Sequence, residues 1–577
     1  MRTVLARLAA LVALLAVVGL LPWLSRNDPA LTVLRARSAE QEATPEALDA
    51  IRADLGLDAG PLALLGRWAA GLARGDLGTS WVSGHPVGPA VASGAGTSLT
   101  LMACALAVAL LLAAALCAPT VWRGARGSLG DGRPGGAVGA ILVACPEFLI
   151  ATVGLIVVGV WLGWLPTSGW AGPANLVLPA VAMGVPAGAM IGRLVGDTLP
   201  GAFDERWVAL WRSAGVTEGR LALGVLRRAL PAVMPQFGLV VVALTGGAVA
   251  VETIFAVPGI GRTALGAAKS QDLPLLQGCV LALMCLGATA GLIGHAARRA
   301  MLGTGLRDAA LSPPAPPRGP SGTRQYVVPS LLAAVLAVIV VWGLLRDPLT
   351  VDVAAKLLDP SWTHPLGTDA LGRDVLARLG HGAANTVGAA VAVCAFGFAL
   401  SLGLGFAPRV SAGVADIANA VPAVLAGVLV AAALGPGTAG ATIAVAAVSW
   451  PNLTAHAAAL TQEARAASYL TAQRALGASP AWITVRHVLP EITGPLARHA
   501  VLKLPGTALA IASLGFLGLG TQPPTPEWGL LLNESRSYVE VAPAAALAPA
   551  AAIAFLAALT VSSANLTRLP KRTAVNA

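Results

Sequence analysis

TSLTLMACALAVALLLAAALCA, residues 97–118, runs from a polar start through small and branched apolar side chains without one charged residue. As an α-helix, a stretch of about 20 residues crosses about 30 Å of hydrocarbon. Similar blocks recur along the whole chain of 577 residues, of which 56% are hydrophobic and 11% charged. A soluble domain carries roughly 25% charged residues, so this chain has far more apolar surface than a water-soluble core can hide. Lipid must serve as solvent for much of it. The expected fold class is all-α, a polytopic membrane protein.

Spanning segments are expected at about 4–24, 97–118, 137–162, 176–194, 236–257 and 275–297, and then at 326–345, 383–407, 412–434, 438–459, 496–518 and 541–563. The two sets of six are separated by Gly303 to Gln325, a Pro-rich stretch (Pro313, Pro314, Pro316, Pro317, Pro320) that suits an extended linker. The 66 glycines, together with many alanines, would weaken helices in water but let them pack closely in a bilayer. The six cysteines lie in or beside apolar segments without metal-ligand spacing and read as small packing residues.

Orientation follows from the arginines, because Lys and Arg near helix ends stay on the cytoplasmic side. Arg2 and Arg7 precede the first span, Arg123, Arg126 and Arg133 follow the second, and a large group from Arg193 to Arg228 follows the fourth. The alternation continues through Arg298, Arg299, Arg307, Arg318, Arg409, Arg465, Arg474, Arg486, Arg568, Lys571 and Arg572. Both termini and the linker are therefore expected in the cytoplasm, which makes the first segment an anchor rather than a cleaved signal. The formal charge of +10 is spread over helix ends and does not form a nucleic-acid surface.

Each half has one long charged loop after its fourth span, and the two loops align without a gap. Trp207-Val208-Ala209-Leu-Trp-Arg212-Ser-Ala-Gly215 lies over Tyr469-Leu470-Thr-Ala472-Gln-Arg474-Ala-Leu-Gly477. Both read as a short helix that opens on an aromatic and an aliphatic residue, carries one arginine and stops at a glycine able to turn left-handed. Downstream, Pro231 and Pro490 are expected to mark the return into the membrane; Gly215 to Pro231 is sixteen residues, against thirteen from Gly477 to Pro490.

This pair resembles the "EAA" coupling loops of bacterial ABC-type import permeases, whose short helix docks on a cytoplasmic ATPase. Longer motifs resemble the dipeptide, oligopeptide and nickel permeases over almost the whole chain. The first half is similar to the B-type subunit in Leu55-Gly-Leu-Asp58, Gly75-Asp-Leu-Gly78, Pro146-Glu147-Phe148, Leu165-Pro-Thr-Ser-Gly169 and Val251-Glu252-Thr-Ile-Phe-Ala-Val-Pro-Gly-Ile-Gly261. The second is similar to the C-type subunit in His364-Pro-Leu-Gly-Thr-Asp-Ala-Leu-Gly-Arg-Asp374 and in the run from Phe516 to Gly529.

The resemblance implies two type I importer transmembrane domains fused as a B-type half (1–302) and a C-type half (326–577), joined by the cytoplasmic linker 303–325. Residues 25–96 would form an extracytoplasmic cap, and 197–232 and 460–495 the coupling loops. It further implies a bacterial cell membrane location, two cytoplasmic ABC ATPase subunits, an extracytoplasmic substrate-binding protein, and a peptide or similar solute.

No G-x-x-x-x-G-K-[ST] loop occurs, so ATP and Mg would be bound by the partner subunits, with no cofactor, metal or catalytic residue in this chain. Pro146, Glu147, Glu252, Asp416 and Pro422 are candidates for the translocation path, the prolines (with Pro258-Gly259) as points where helices bend or end. An internally duplicated secondary transporter also has twelve spans in two halves, but ionisable residues within the spans are few and the paired long loops disfavour it. A membrane-embedded enzyme lacks H-E-x-x-H, a Ser/His/Asp set and paired midplane carboxylates.

Overall fold

The structure, a computed structural model, describes residues 12–25, 29–37, 42–129, 142–143, 145–302, 324–407, 414–415, 418–419 and 421–564. The basic residues at both chain ends, nearly all of the Pro-rich linker, the beginnings of the 4–24, 137–162 and 412–434 segments, and Asp416 lie outside them. Among the described residues, eight helices are long and apolar enough to cross a membrane: Val87–Ala125, Pro173–Phe203, Gln236–Ile254, Leu273–Met301, Tyr326–Leu344, Val375–Leu404, Thr438–Arg465 and Pro480–Phe516. Shorter apolar helices occupy Glu147–Trp161, Ala423–Leu434 and Pro543–Leu559. Each falls on an expected segment. Several extend well past it: at 1.5 Å per residue the 39 residues of Val87–Ala125 reach about 58 Å.

Two compact units gather discontinuous pieces of chain. One comprises Met1–Ser98, Pro258–Cys285 and Trp342–Pro549, and the other Leu99–Val257, Leu286–Val341 and Ala550–Ala577. In the first, the Val375–Leu404, Thr438–Arg465 and Leu489–Phe516 helices pack on one another. Leu453, Ala457, Leu496 and Ala500 form part of their shared core. Ser401 and Thr454 join two of these helices by a 2.8 Å hydroxyl contact, satisfying polar groups that hydrocarbon would leave bare.

The same unit holds the described residues of the N-terminal segment and of 42–86. Val18 and Leu21 are buried, and Gln277 donates to the Val18 carbonyl at 2.8 Å. Within 42–86 the chain forms the helices Pro45–Leu55 and Pro61–Ala73 and a bridge between Thr79 and Pro86. Asp272 ties this region down, accepting from the Ser80 hydroxyl and, at 3.0 Å, from the Trp81 amide.

The segment ahead of the Val375–Leu404 helix is pinned by buried ion pairs. Asp369 accepts from Arg373 Nε at 2.7 Å and Arg378 Nη1 at 2.6 Å, and Glu534 lies 2.8 Å from Arg378 Nη2. Asp374 caps the Val375–Leu404 helix through the Ala377 amide at 3.0 Å and pairs with Arg346 and His364. The residues of the His364–Asp374 motif thus serve as turn and cap residues.

In the second unit, Pro173–Phe203 packs against Glu218–Ile254 and against Glu147–Gly154. Its Gly184, Gly188 and Gly192 form a stripe at four-residue spacing against the Val87–Ala125 helix. A Cβ at Gly184 would lie 2.6 Å from the Ala105 carbonyl oxygen, and one at Gly188 2.6 Å from that of Ala109. Only glycine lets these two backbones approach so closely.

Candidate functional site: two exposed short helices

Both aligned nonapeptides fold as the sequence predicts, into the eight-residue helices Arg206–Ser213 and Ser468–Ala475. Their alternation of apolar and polar residues leaves one residue of each facing inward. Val208 and Leu470, which occupy the same aligned position, are each 0% exposed. Leu470 joins a cluster with Ala464, Ile483, Val488 and Ile492. The remaining faces are open: Ala209, Arg212 and Gly215 in one, and Tyr469, Ala472, Arg474 and Gly477 in the other, are all exposed. Large apolar side chains stand out among them, with Leu210 at 68% and Leu476 at 81% exposure. Leucines this exposed keep apolar surface in contact with solvent.

The stops match as well. Gly215 has φ +73° and Gly477 φ +88°. The Gly215 amide donates to the Arg212 carbonyl and the Val216 amide to that of Trp211, while Gly477 donates to Arg474 and Ala478 to Gln473. Each glycine provides the left-handed residue that satisfies carbonyls at a helix end, and a Cβ at either would meet nothing within 4 Å.

Aromatic residues hold each helix against the next. Trp207 and Trp211 meet edge to face at 5.0 Å, above Gly224, where a Cβ would come within 3.0 Å of the Trp211 ring. Trp207 Nε1 donates to Glu205 at 2.7 Å, and Arg228 reaches the same carboxylate at 3.3 Å. In the second loop His487 takes the edge contacts of Tyr469 at 5.6 Å and Trp482 at 4.9 Å. Arg212 turns towards its own bundle and donates to the Gly124 carbonyl, so it fastens its short helix to the end of Val87–Ala125.

The downstream prolines do not mark a turn. Pro231 lies inside the Glu218–Ile254 helix, and Pro490 inside the continuous run Pro480–Phe516. A π-helical turn, Thr484–Val488, precedes Pro490 and rearranges the backbone bonding where proline has no amide to give. The three-residue difference between the two loops is close to one helical turn.

Pro146 and Pro422 fall where the helical chain is broken: residues 142–143 and 418–419 before them are helical, and each proline is the N-cap residue that opens the next helix, with φ, ψ of −64°, 150° and −61°, 146°. Likewise Gly259 caps Ile260–Lys269. Proline's fixed φ and missing amide suit a helix start, where amides lack partners anyway. Glu147 sits in the first turn after Pro146, its Oε1 2.9 Å from where a Cβ of Gly247 would stand. Glu252 is fully buried in the Glu218–Ile254 helix.

Glu527, which sequence reasoning passed over within its motif, is buried and caps Trp528–Ser535. It accepts from the Gly529 and Leu530 amides at 3.0 Å each and from the Thr386 hydroxyl at 2.9 Å. Burial pushes its carboxyl above the usual range despite these bonds.

Among the described residues, helices long and apolar enough to cross a membrane, together with two exposed short helices anchored alike, describe a polytopic membrane protein. The chain belongs to the family described as "Binding-protein-dependent transport system inner membrane component", matched over residues 133–301 and again over 384–574. It is similar to the di/tripeptide transport system permease protein DppC of Pseudomonas aeruginosa (strain UCBPP-PA14), 40% identical over 230 residues, covering 37% of this chain and 75% of the relative. It is also similar to the glutathione transport system permease protein GsiD of Escherichia coli O1:K1 / APEC, 37% identical over 196 residues, 33% of this chain and 65% of the relative. The chain is thus a multi-span permease component of a binding-protein-dependent transporter, and the secondary-carrier reading falls away.

Proposed function

We propose that this chain is the complete membrane pathway of an ATP-driven peptide importer, a B-type half (1–302) and a C-type half (326–577) fused through the cytoplasmic linker 303–325. The observation that carries the reading is the matched pair of exposed short helices, each with one buried anchor (Val208, Leu470) and one left-handed glycine (Gly215, Gly477). Two cytoplasmic ABC ATPase subunits grip these helices, and their closure on ATP and Mg rocks the two halves. A loaded binding protein docks on the extracytoplasmic side, where residues 25–96 form a cap. Both termini face the cytoplasm of a bacterial cell.

The path residues we assign are Pro146, Glu147, Glu252, Asp416 and Pro422. Two short helices that start inside the protein at Pro146 and Pro422 give their halves broken helical segments, the places where irregular backbone can border a passage. Di- and tripeptides, and small peptides such as glutathione, are the substrate class favoured by the named relatives; nickel chelates are the further class of the resembling family.

Reconstitution of this chain with its ATPases and binding protein in liposomes tests the reading. ATP-dependent uptake of labelled alanyl-alanine is expected, lost when Gly215 and Gly477 are both replaced by tryptophan. Uptake without ATPase subunits, or uptake unaffected by the double replacement, would overturn it.

A further inference from the structure

Lys269 ends the Ile260–Lys269 helix of the first half, and Arg536 opens the short turn Arg536–Tyr538 of the second. Both segments fall between spans. The fold nevertheless brings them together within one compact unit. Ile260–Lys269 packs against Ala423–Leu434 of the second half. Lys269 Nζ stands 3.4 Å from where a Cβ of Gly518 would project, in the left-handed turn (φ +76°) that ends the Leu489–Phe516 helix. Arg536 lies over the Phe516 ring, 5.7 Å from its centroid, two residues before that turn.

The surrounding loop is held firmly. Gln522 donates to the Gly518 carbonyl at 3.2 Å and to that of Gly520 at 2.8 Å. On the other side Gln271, in a left-handed conformation at φ +55°, accepts from Ser25 at 3.0 Å and donates to the Ala432 carbonyl at 3.5 Å. Thus one hydrogen bond two residues from Lys269, Gln271 to Ala432, crosses between the halves.

No carboxylate among the described residues forms an ion pair with either cation. Of the acidic groups in adjoining turns, Glu534 is engaged with Arg373 and Arg378, Asp272 with Ser80 and Trp81, and Glu527 with Thr386 and two amides, while Glu540 is exposed. Burial, with the Arg536 charge second, pushes the Lys269 ammonium below its usual range. Two like charges held at one helix end, at Gly518 and Phe516, repel and cost free energy, which an anion bound near both offsets.

We propose that Lys269 and Arg536, one from each half, form a receiving site for the carboxylate of the transported solute at the extracytoplasmic mouth of the pathway. This rests on the importer reading and assigns to the path itself a preference for solutes with a free carboxylate, the terminal group of a peptide. The site straddles the two halves, so it exists only while they are apposed on the outer side, and rocking them apart releases the anion inward.

The test uses the full complex in liposomes with labelled alanyl-alanine as probe, comparing wild type, Lys269→Gln, Arg536→Gln and Lys269→Arg. Loss of a charge-assisted hydrogen bond predicts a fall of about tenfold or more in kcat/KM for each glutamine variant, with Lys269→Arg within about threefold of wild type. Thermal melting checks that the variants fold, and capture of the binding protein is measured in parallel. Unchanged uptake by both glutamine variants, with wild type active, overturns the site and leaves the importer reading standing. A loss of binding-protein capture by the same factor as uptake also overturns it, assigning the cations to an acidic docking partner. Absence of uptake by wild type fails the importer reading itself.

Discussion

Leu470→Ala separates what anchors the exposed helix Ser468–Ala475 from what it presents. Leu470 is fully buried among Ala464, Ile483, Val488 and Ile492. Removing its three outer carbons forfeits about 2.4 kcal/mol at about 0.8 kcal/mol per carbon. The flanking side chains Ala467 and Ala478 are too small to fill the void, so a cavity cost adds and the total falls at about 3–4 kcal/mol, within the range of about 2–5 for such truncations. Tyr469, by contrast, is exposed and has an edge contact with His487 and a 3.4 Å bond to Glu491; losing these costs under about 1 kcal/mol. Leu476, 81% exposed, should cost nothing measurable on replacement by alanine. Hydrogen exchange over residues 466–488 would register Leu470→Ala as fast opening of that loop while Leu476→Ala leaves protection unchanged. ATPase capture should fall in both, through disorder in one and through lost contact in the other. The reasoning is refuted if Leu470→Ala leaves loop protection intact, or if Leu476→Ala opens the loop as far as Leu470→Ala does.

Gly188→Val should abolish folded protein in detergent extracts, because its side chain meets the Ala109 backbone at 2.6 Å and neither helix can retreat without breaking its packing. Glu527→Ala leaves the Thr386 hydroxyl and two amides without their buried acceptor, a loss of about 3 kcal/mol or more that thermal melting would read as a lower Tm. Asp369 and Glu527 should respond to pH in opposite senses. Burial pushes Asp369 up, but amides of Arg373 and Leu371 and the charges of Arg378 and Arg373 outweigh it and hold the carboxyl below its usual range. Its stabilisation is therefore complete above about pH 4, the ordinary value, and lost as pH falls through the depressed one. Hydrogen exchange across 346–378 should be slow at pH 5 and accelerate beyond the intrinsic pH effect near pH 3. Glu527, raised by burial, binds its proton more tightly folded than unfolded, so its contribution is largest in acid and shrinks as pH rises through its folded value.

The spans were legible because hydrocarbon imposes length and apolarity, which hydropathy reads directly. The paired short helices were legible for a different reason: repetition turned a weak local pattern into two copies with the same aromatic, aliphatic, arginine and glycine positions. The return prolines were misread because Pro231 and Pro490 look like breakers in isolation, whereas packing in a bundle and a π-helical turn before Pro490 let helices run through them. Gly184, Gly188 and Gly192 did carry a readable signal, glycine at every fourth residue of an apolar segment. The pairing of Arg378 with Glu534, and the meeting of Lys269 with Arg536, carried none. They join residues far apart in the chain, and only the fold decides that they meet.

The central claim is that both exposed short helices face the cytoplasm and are held there by nucleotide-driven subunits. Single cysteines at Leu210 and Leu476, in a chain cleared of its own cysteines, measure this with a membrane-impermeant maleimide. The account predicts labelling at both positions in inverted vesicles, none in intact cells, and protection at both when the ATPase subunits are bound. Labelling of either position in intact cells, or full labelling in the presence of bound ATPases, would contradict it.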